Sequence, residues 1–232
     1  MTGGTQTDTG HRLVLVAHGT RNVDGNQVSR AVAEAAGRRL GLPAMASFVE
    51  LSEPLFSEVM EDADRPVIVV PMLLSTGFHV RSDLPEAIAR ASVPVTLGRT
   101  LGPDPLLAQA QVDRLLEAGA ERGQRVVLVA AGSSDEAARC DQMGAVSLLA
   151  RAWDGPVELA TLSGHGTRPD EIVRPGDAVS PYLLSPGHFA DRIGRLDVPD
   201  TVVAEAIGPH PLVVDLVVQR AEELLAAEAA GR

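Results

Sequence analysis

Two of the six histidines follow short apolar runs that read as β-strands. His18 comes directly after the run 13–17 in RLVLVAHGTRN, and His79 lies in PMLLSTGFHVRSD, in the loop after the run 67–72. Glu50 closes a third such run, 44–50, in ASFVEL. Two imidazoles and a carboxylate form a borderline-hard donor set suited to Fe(II), Co(II), Ni(II) or Zn(II). A neutral imidazole also accepts a proton near pH 7, so this group could hold a divalent ion and take up protons beside it. Gly19 and Gly77, next to or near the histidines, allow sharp turns and the close approach of a bulky ligand.

The elements that must bring these residues together alternate along the chain. Strands are expected at 13–17, 44–50, 67–72, 95–99, 126–130, 157–162, 178–184 and 201–204, with amphipathic helices at 28–40, 54–63, 83–91, 105–119, 134–152 and 211–227. Alternation of strand and helix, with apolar strands, implies parallel sheets covered on both faces. In the common doubly wound order, strand 1 lies between strands 2 and 3, and ligands bind beyond the strands' carboxyl ends. With neighbouring strands about 4.8 Å apart, that order gathers His18, Glu50 and His79 on one sheet edge within roughly 10 Å.

The alternation also repeats. RLVLVAHGT (12–20) matches RVVLVAAGS (125–133), PMLLSTGF (71–78) matches PYLLSPGH (181–188), and LGPDPLL (101–107) matches IGPHPLV (207–213). Three matches in one order, with offsets drifting from about 113 to about 106 residues, indicate two copies of one unit with small indels. The expected fold class is therefore α/β, with two similar flavodoxin-like lobes, each a parallel four-stranded sheet flanked by helices. Residues 1–11 read as a disordered tail, 12–121 as the lobe carrying the histidines, and 122–232 as a degenerate second lobe for substrate binding or support. Degeneracy shows at Ala131, which stands where His18 stands in the first copy. His188 falls one position before the register of His79, so it either faces the cleft or begins the next helix. His165 sits in GHGTR, outside the repeat register, after the second lobe's second strand. His210 matches Asp104 at a helix start followed by proline, a capping pattern. His11 is assigned to the tail, and Cys140 to packing within a helix.

Composition excludes several classes. The chain has 232 residues, a net charge of -11 and no lysine, so all 20 basic residues are arginine. Lysine Schiff-base chemistry and a phosphate-loop GK[ST] site are absent. An acidic chain is no nucleic-acid binder by charge, and no apolar run approaches the ~18 residues of a membrane span. A single cysteine cannot form an internal disulfide or a thiolate cluster, which fits a cytoplasmic protein, and the amino terminus shows no signal-peptide pattern.

LVAHGTR, the acidic residue after the second strand, and PMLLSTGFHVRSDLP together resemble the signature of sirohydrochlorin chelatases of the CbiX type. The duplication makes the chain similar to the long, two-lobed form, from about Arg12 onward. The resemblance implies insertion of Fe2+ or Co2+ into sirohydrochlorin, toward sirohaem or cobalamin, with the macrocycle between the lobes and no organic cofactor. It places the family's two active-site histidines at His18 and His79, and a supporting acidic residue at Glu50. One departure is that the loop reads Gly77-Phe78-His79 where the family usually has lysine before the histidine.

Sirohydrochlorin carries eight carboxylates, so local donors must counter the negative field of the protein. Arg21 and Arg81 follow the two histidines, with Arg139 and Arg192 after matching loops in the second lobe; arginine forks fit carboxylates. Ser75, Gly77, Ser133, Ser134 and His188 complete the expected substrate-binding set. A tetrapyrrole substrate is then the expected partner, and a monomer the expected state, because the duplication supplies both walls. A histidine phosphatase would need arginine before the histidine, where Ala17 stands. A non-catalytic tetrapyrrole or metal carrier using the same cleft is the alternative reading.

Overall fold

The computed structural model describes residues 10–77 and 79–230, with only the backbone for His79 and Val80. Its first strand, β1 (Arg12–Ala17), is apolar and buried after its first residue. It pairs in parallel with β2 (Ala44–Phe48) on one side and β3 (Val67–Pro71) on the other. β4 (Val95–Leu97) completes the order β2-β1-β3-β4. The second sheet, β5 (Val126–Ala130), β6 (Val157–Thr161), β7 (Ala178–Tyr182) and β8 (Val202–Val203), has the order β6-β5-β7-β8. The registers also agree: Val16 faces Pro71 in the first sheet, and Val129 faces Pro181 in the second. The expected fold class and duplication are what the structure shows.

Eight helices of the described residues join these strands: α1 (Val23–Leu40), α2 (Phe56–Glu61), α3 (Leu84–Ile88), α4 (Pro105–Glu117), α5 (Glu136–Trp153), α6 (Pro169–Ile172), α7 (His188–Ile193) and α8 (Pro211–Ala230). Helix α1 begins five residues before the expected start because Asn22 caps it, accepting from the N–H groups of Asp24 at 2.9 Å and Gly25 at 3.3 Å. Asp104 and Asp135 cap α4 and α5 in the same way, each at about 3 Å. The stretch read as a helix over 83–91 is shorter: a wide π turn, His79–Asp83, precedes α3. Such turns are rare and often occur at functional sites.

Strand side chains alternate between two environments. Leu13, Leu15 and Ala17 point into one large core, while Val14 and Val16 point to an outer core shared with α2 and α3. The second sheet does likewise, with Leu128 inward and Val127 and Val129 outward. The large core is common to both lobes and contains α1, α4, α5 and α8 between the sheets. Within this layer the last helix of each sequence half crosses over. Helix α4 packs on α5 and β7, while α8 packs on α1 and β3. Buried Gln111 of α4 donates to Ser180 of β7 at 2.8 Å. In the other direction, Glu228 of α8 binds His11 at 2.8 Å, just ahead of β1.

That contact overturns the assignment of His11 to a functionless tail, because its side chain is buried and tied to the final helix. Cys140 lies in α5 as expected but on its exposed face, so it does not pack in the core. His210 caps α8: its Nδ1 accepts the Leu212 N–H at 3.3 Å, and its Nε2 lies 3.4 Å from Asp113. No helix among the described residues is long and apolar enough to cross a membrane.

Candidate metal and tetrapyrrole site

Beyond the last residue of β1, the ladder between β1 and β2 continues for two more hydrogen bonds, Val49 N–H to Ala17 O at 2.9 Å and Glu50 N–H to His18 O at 3.1 Å. These bonds bring the His18 and Glu50 side chains together, with Nε2 and Oε1 3.6 Å apart and both about half exposed. The turn is available only because residue 19 is glycine: its φ is +95°, and a Cβ there would lie 1.8 Å from the Glu50 carbonyl oxygen. His79 opens the π turn in the segment that leaves the carboxyl end of β3. Its side chain, like Phe78, lies outside the described residues. Among those residues, no cluster of three or more His, Cys, Asp or Glu could hold a metal ion; the described part of the expected donor set is the His18–Glu50 pair.

His18 lines an interlobe cleft of about 650 Å³, within the range of small-molecule sites, while Glu50 stands beside it and is not part of the lining. His18, Ser75 and Gly77 line the cleft from the first lobe, and Ser133 and His188 from the second. His188 does both things the sequence left open: it is the first residue of α7 and it lines the cleft. The inner surface is apolar, built from the equivalent triplets Met72-Leu73-Leu74 and Tyr182-Leu183-Leu184.

Other expected substrate contacts lie elsewhere. Ser134 and Arg21 are exposed and do not line the cleft. Arg81 bridges the lobes in an ion pair with Asp135. Arg139 is exposed on α5, and Arg192 donates to the Leu162 carbonyl at 3.2 Å. Of the described lining, only His18 and His188 can carry a positive charge. His165 is exposed and outside the lining, with its backbone N–H on the Ser133 carbonyl at 3.3 Å. Sequence reasoning missed Ser29 and Gln142, which line the cleft from α1 and α5. It also missed Asp141, which accepts the Thr76 N–H at 2.6 Å. The repeat offset near 113, carried on into the helices, would have paired Ser29 with Gln142.

The family model for CbiX matches residues 12–118. A sirohydrochlorin ferrochelatase of Bacillus subtilis is 29% identical over 92% of this chain and 92% of its own length. A half-length sirohydrochlorin cobaltochelatase of Methanococcoides burtonii is 28% identical over 45% of this chain and 94% of its own. Among solved structures, SirB from Bacillus subtilis with Fe3+ superposes with a TM-score of 0.80 at 28% identity, covering 96% of this chain and 98% of that one. A cobalt complex of the same type, from the subspecies spizizenii, gives a TM-score of 0.77. Paired parallel sheets around a shared helical layer give the chain the two-lobed α/β fold of the SirB structures. The first half of the chain matches the CbiX family model, and nearly the whole chain is similar in sequence and fold to SirB, a sirohydrochlorin chelatase.

Proposed function

We propose that this protein inserts a divalent metal, Fe2+ or Co2+, into sirohydrochlorin held in the interlobe cleft. The observation that carries the reading is His18, which lines an apolar cleft of suitable size and lies 3.6 Å from Glu50. The activities of the relatives, ferrochelatase and cobaltochelatase, support it, as do the iron and cobalt complexes of SirB.

Metal insertion removes two protons from the pyrrole nitrogens while the ion sheds water. His18 and His79 receive the metal substrate on one face of the macrocycle and accept those protons. Glu50 offsets the charge of the ion and of a protonated His18. A half-exposed histidine–carboxylate pair binds metal modestly, which suits a site that must release its ion into the ring. The amino-terminal lobe, 12–121, supplies the metal-handling residues, and the second lobe, 122–232, supplies the opposite wall through Ser133 and His188. Ser75 and Gly77 face the substrate from the first lobe. Both walls come from one chain, so a monomer suffices, and the reaction fits the cytoplasm.

The test is anaerobic incubation of sirohydrochlorin with Fe2+ or Co2+, followed by visible absorption. Wild type turns over many equivalents, whereas His18→Ala and His79→Ala each lose at least about a hundredfold in rate, the usual scale of a lost acid–base group. Stoichiometric binding without turnover would mark a carrier instead. Full rates in both variants would remove the histidines from the mechanism.

A further inference from the structure

Gln142 is 4% exposed, lines the cleft, and its side chain makes no hydrogen bond among the described residues. Its amide atoms are not among the sealed polar atoms that lack a partner, so they open onto the cleft. A buried amide without a partner is unfavourable unless something supplies one. Ser29, 3% exposed and equally unpartnered, occupies the matching position on α1. Asn26 of α1 also lines the cleft, but its side chain is bonded to the Thr20 backbone; Ser29 and Gln142 are the unbonded polar points of the two helices, with Gly25 and Ala138 one turn earlier.

The pair breaks the symmetry of the duplicated fold. A short hydroxyl lies on one side and a long amide on the other, so the two ends of the cleft hold a polar group at different depths. The described lining contains no arginine, and Arg81 is committed to Asp135. An anionic ligand must therefore meet histidines or neutral donors inside the cleft. The Gln142 amide can extend two N–H donors toward a carboxylate, and such charge-assisted bonds are the stronger kind.

We infer that Gln142 is a specificity-determining residue that donates to a peripheral carboxylate of the macrocycle and, with Ser29 opposite, fixes which edge of the ring enters the cleft. This inference rests on the proposed function. Nothing in the chemistry requires Gln142 to touch the metal or the pyrrole protons.

The experiment measures metal-free sirohydrochlorin binding by fluorescence quenching, Co2+ binding by calorimetry, and steady-state insertion, for wild type, Gln142→Leu, Gln142→Met and Gln142→Glu. Loss of one charge-assisted hydrogen bond weakens sirohydrochlorin binding about tenfold or more in Gln142→Leu and Gln142→Met. Gln142→Glu, which sets a carboxylate against a carboxylate, weakens it further. KM rises in parallel while kcat stays within about twofold, and Co2+ affinity does not change. The apolar variants keep the thermal midpoint, because the Gln142 side chain makes no hydrogen bond among the described residues; if one misfolds, the other two still report. Wild-type binding by Gln142→Leu or Gln142→Met, or wild-type KM in Gln142→Glu, would overturn the inference while leaving the chelatase reading intact. Failure of the wild type to bind sirohydrochlorin would overturn both.

Discussion

The carboxylate of Asp141, in the second turn of α5 of the second lobe, accepts the backbone N–H of Thr76 in the first lobe at 2.6 Å. Asp135, which caps the same helix, pairs with Arg81. These two contacts bracket the segment that contains His79, so the second lobe grips the first-lobe loop that carries it. A charge-assisted N–H···O bond is worth about 1.5–3 kcal/mol, enough to hold a loop that lacks regular structure. Asp141→Ala should lower the insertion rate about tenfold or more, since small misplacements of a reacting group are costly. Hydrogen exchange over residues 73–82 should quicken, and Asp141→Asn should restore part of the loss because its amide oxygen still accepts. Unchanged exchange in Asp141→Ala would show that the contact holds nothing in place.

Gly19 sets the geometry of the His18–Glu50 pair. Gly19→Ala places a methyl group where the Glu50 carbonyl now lies, in a backbone conformation that side chains rarely adopt. The β2 end must retreat and carry Glu50 away from His18. Overpacking of this kind costs about 1–3 kcal/mol, or about 3–10 °C in thermal midpoint at this size. The insertion rate and Co2+ affinity should both fall, although neither donor has been changed. Gly132→Ala repeats the clash in the second lobe, where a Cβ would lie 2.1 Å from the Ser163 carbonyl. It should lower stability without lowering Co2+ affinity.

Strand positions, sheet class, duplication and the edge that gathers His18 and Glu50 were legible because β-branched runs and repeated glycines and prolines are local signals. The crossing of α4 and α8 was not. An amphipathic pattern says that a helix has an apolar face, but not which sheet the face covers, and both sheets have the same apolar character. Helices α6 and α7, four and six residues long, are too short for a periodicity to emerge. Arg81 reads as a substrate ligand from its place after His79; only its pairing with Asp135, 54 positions away, reassigns it. His11 looked like tail because nothing local shows that Glu228 lies beside it.

Tyr182, the sole tyrosine, donates its hydroxyl to the Leu74 carbonyl across the lobes at 3.2 Å, beside Gly102, where any Cβ would collide with both groups. Burial pushes its ionisation well above the usual value near 10, and the carboxylates of Asp141 and Asp104 push it further. Its folded-state pKa is therefore raised. The stabilisation is fully present below pH ~10 and is lost as pH rises above it, where the unfolded phenol ionises first. Native protein should show no phenolate absorbance up to about pH 11, and signal should appear only with unfolding. In urea, wild type should lose stability between about pH 10 and 11 at up to ~1.4 kcal/mol per pH unit, while Tyr182→Phe should be flatter. A native phenolate titration near pH 10 would contradict the burial argument.

The crossed helices decide what a half-length chain can do. Residues 12–121 contain β1 to β4 and α1 to α4, but in the intact protein α4 covers the second sheet and α8 covers the first. Expressed alone, this half would leave apolar residues such as Ile68 and Val70 of β3 bare, an exposed patch that drives association. The duplicated register offers a remedy: a second copy can present its own β1–β3 surface to α4, as the second lobe does here. Residues 12–121 should therefore form a dimer that exchanges α4, measured by light scattering, with no folded monomer at micromolar concentration. Co-expression with 122–232 should yield a one-to-one complex instead, because the natural pairs Gln111–Ser180 and His11–Glu228 are restored when the first fragment is extended back to His11. A cooperative, monomeric 12–121 would mean that α4 can fold back onto its own sheet, and that the crossing follows from the linkage of the halves rather than from the fit of the helices.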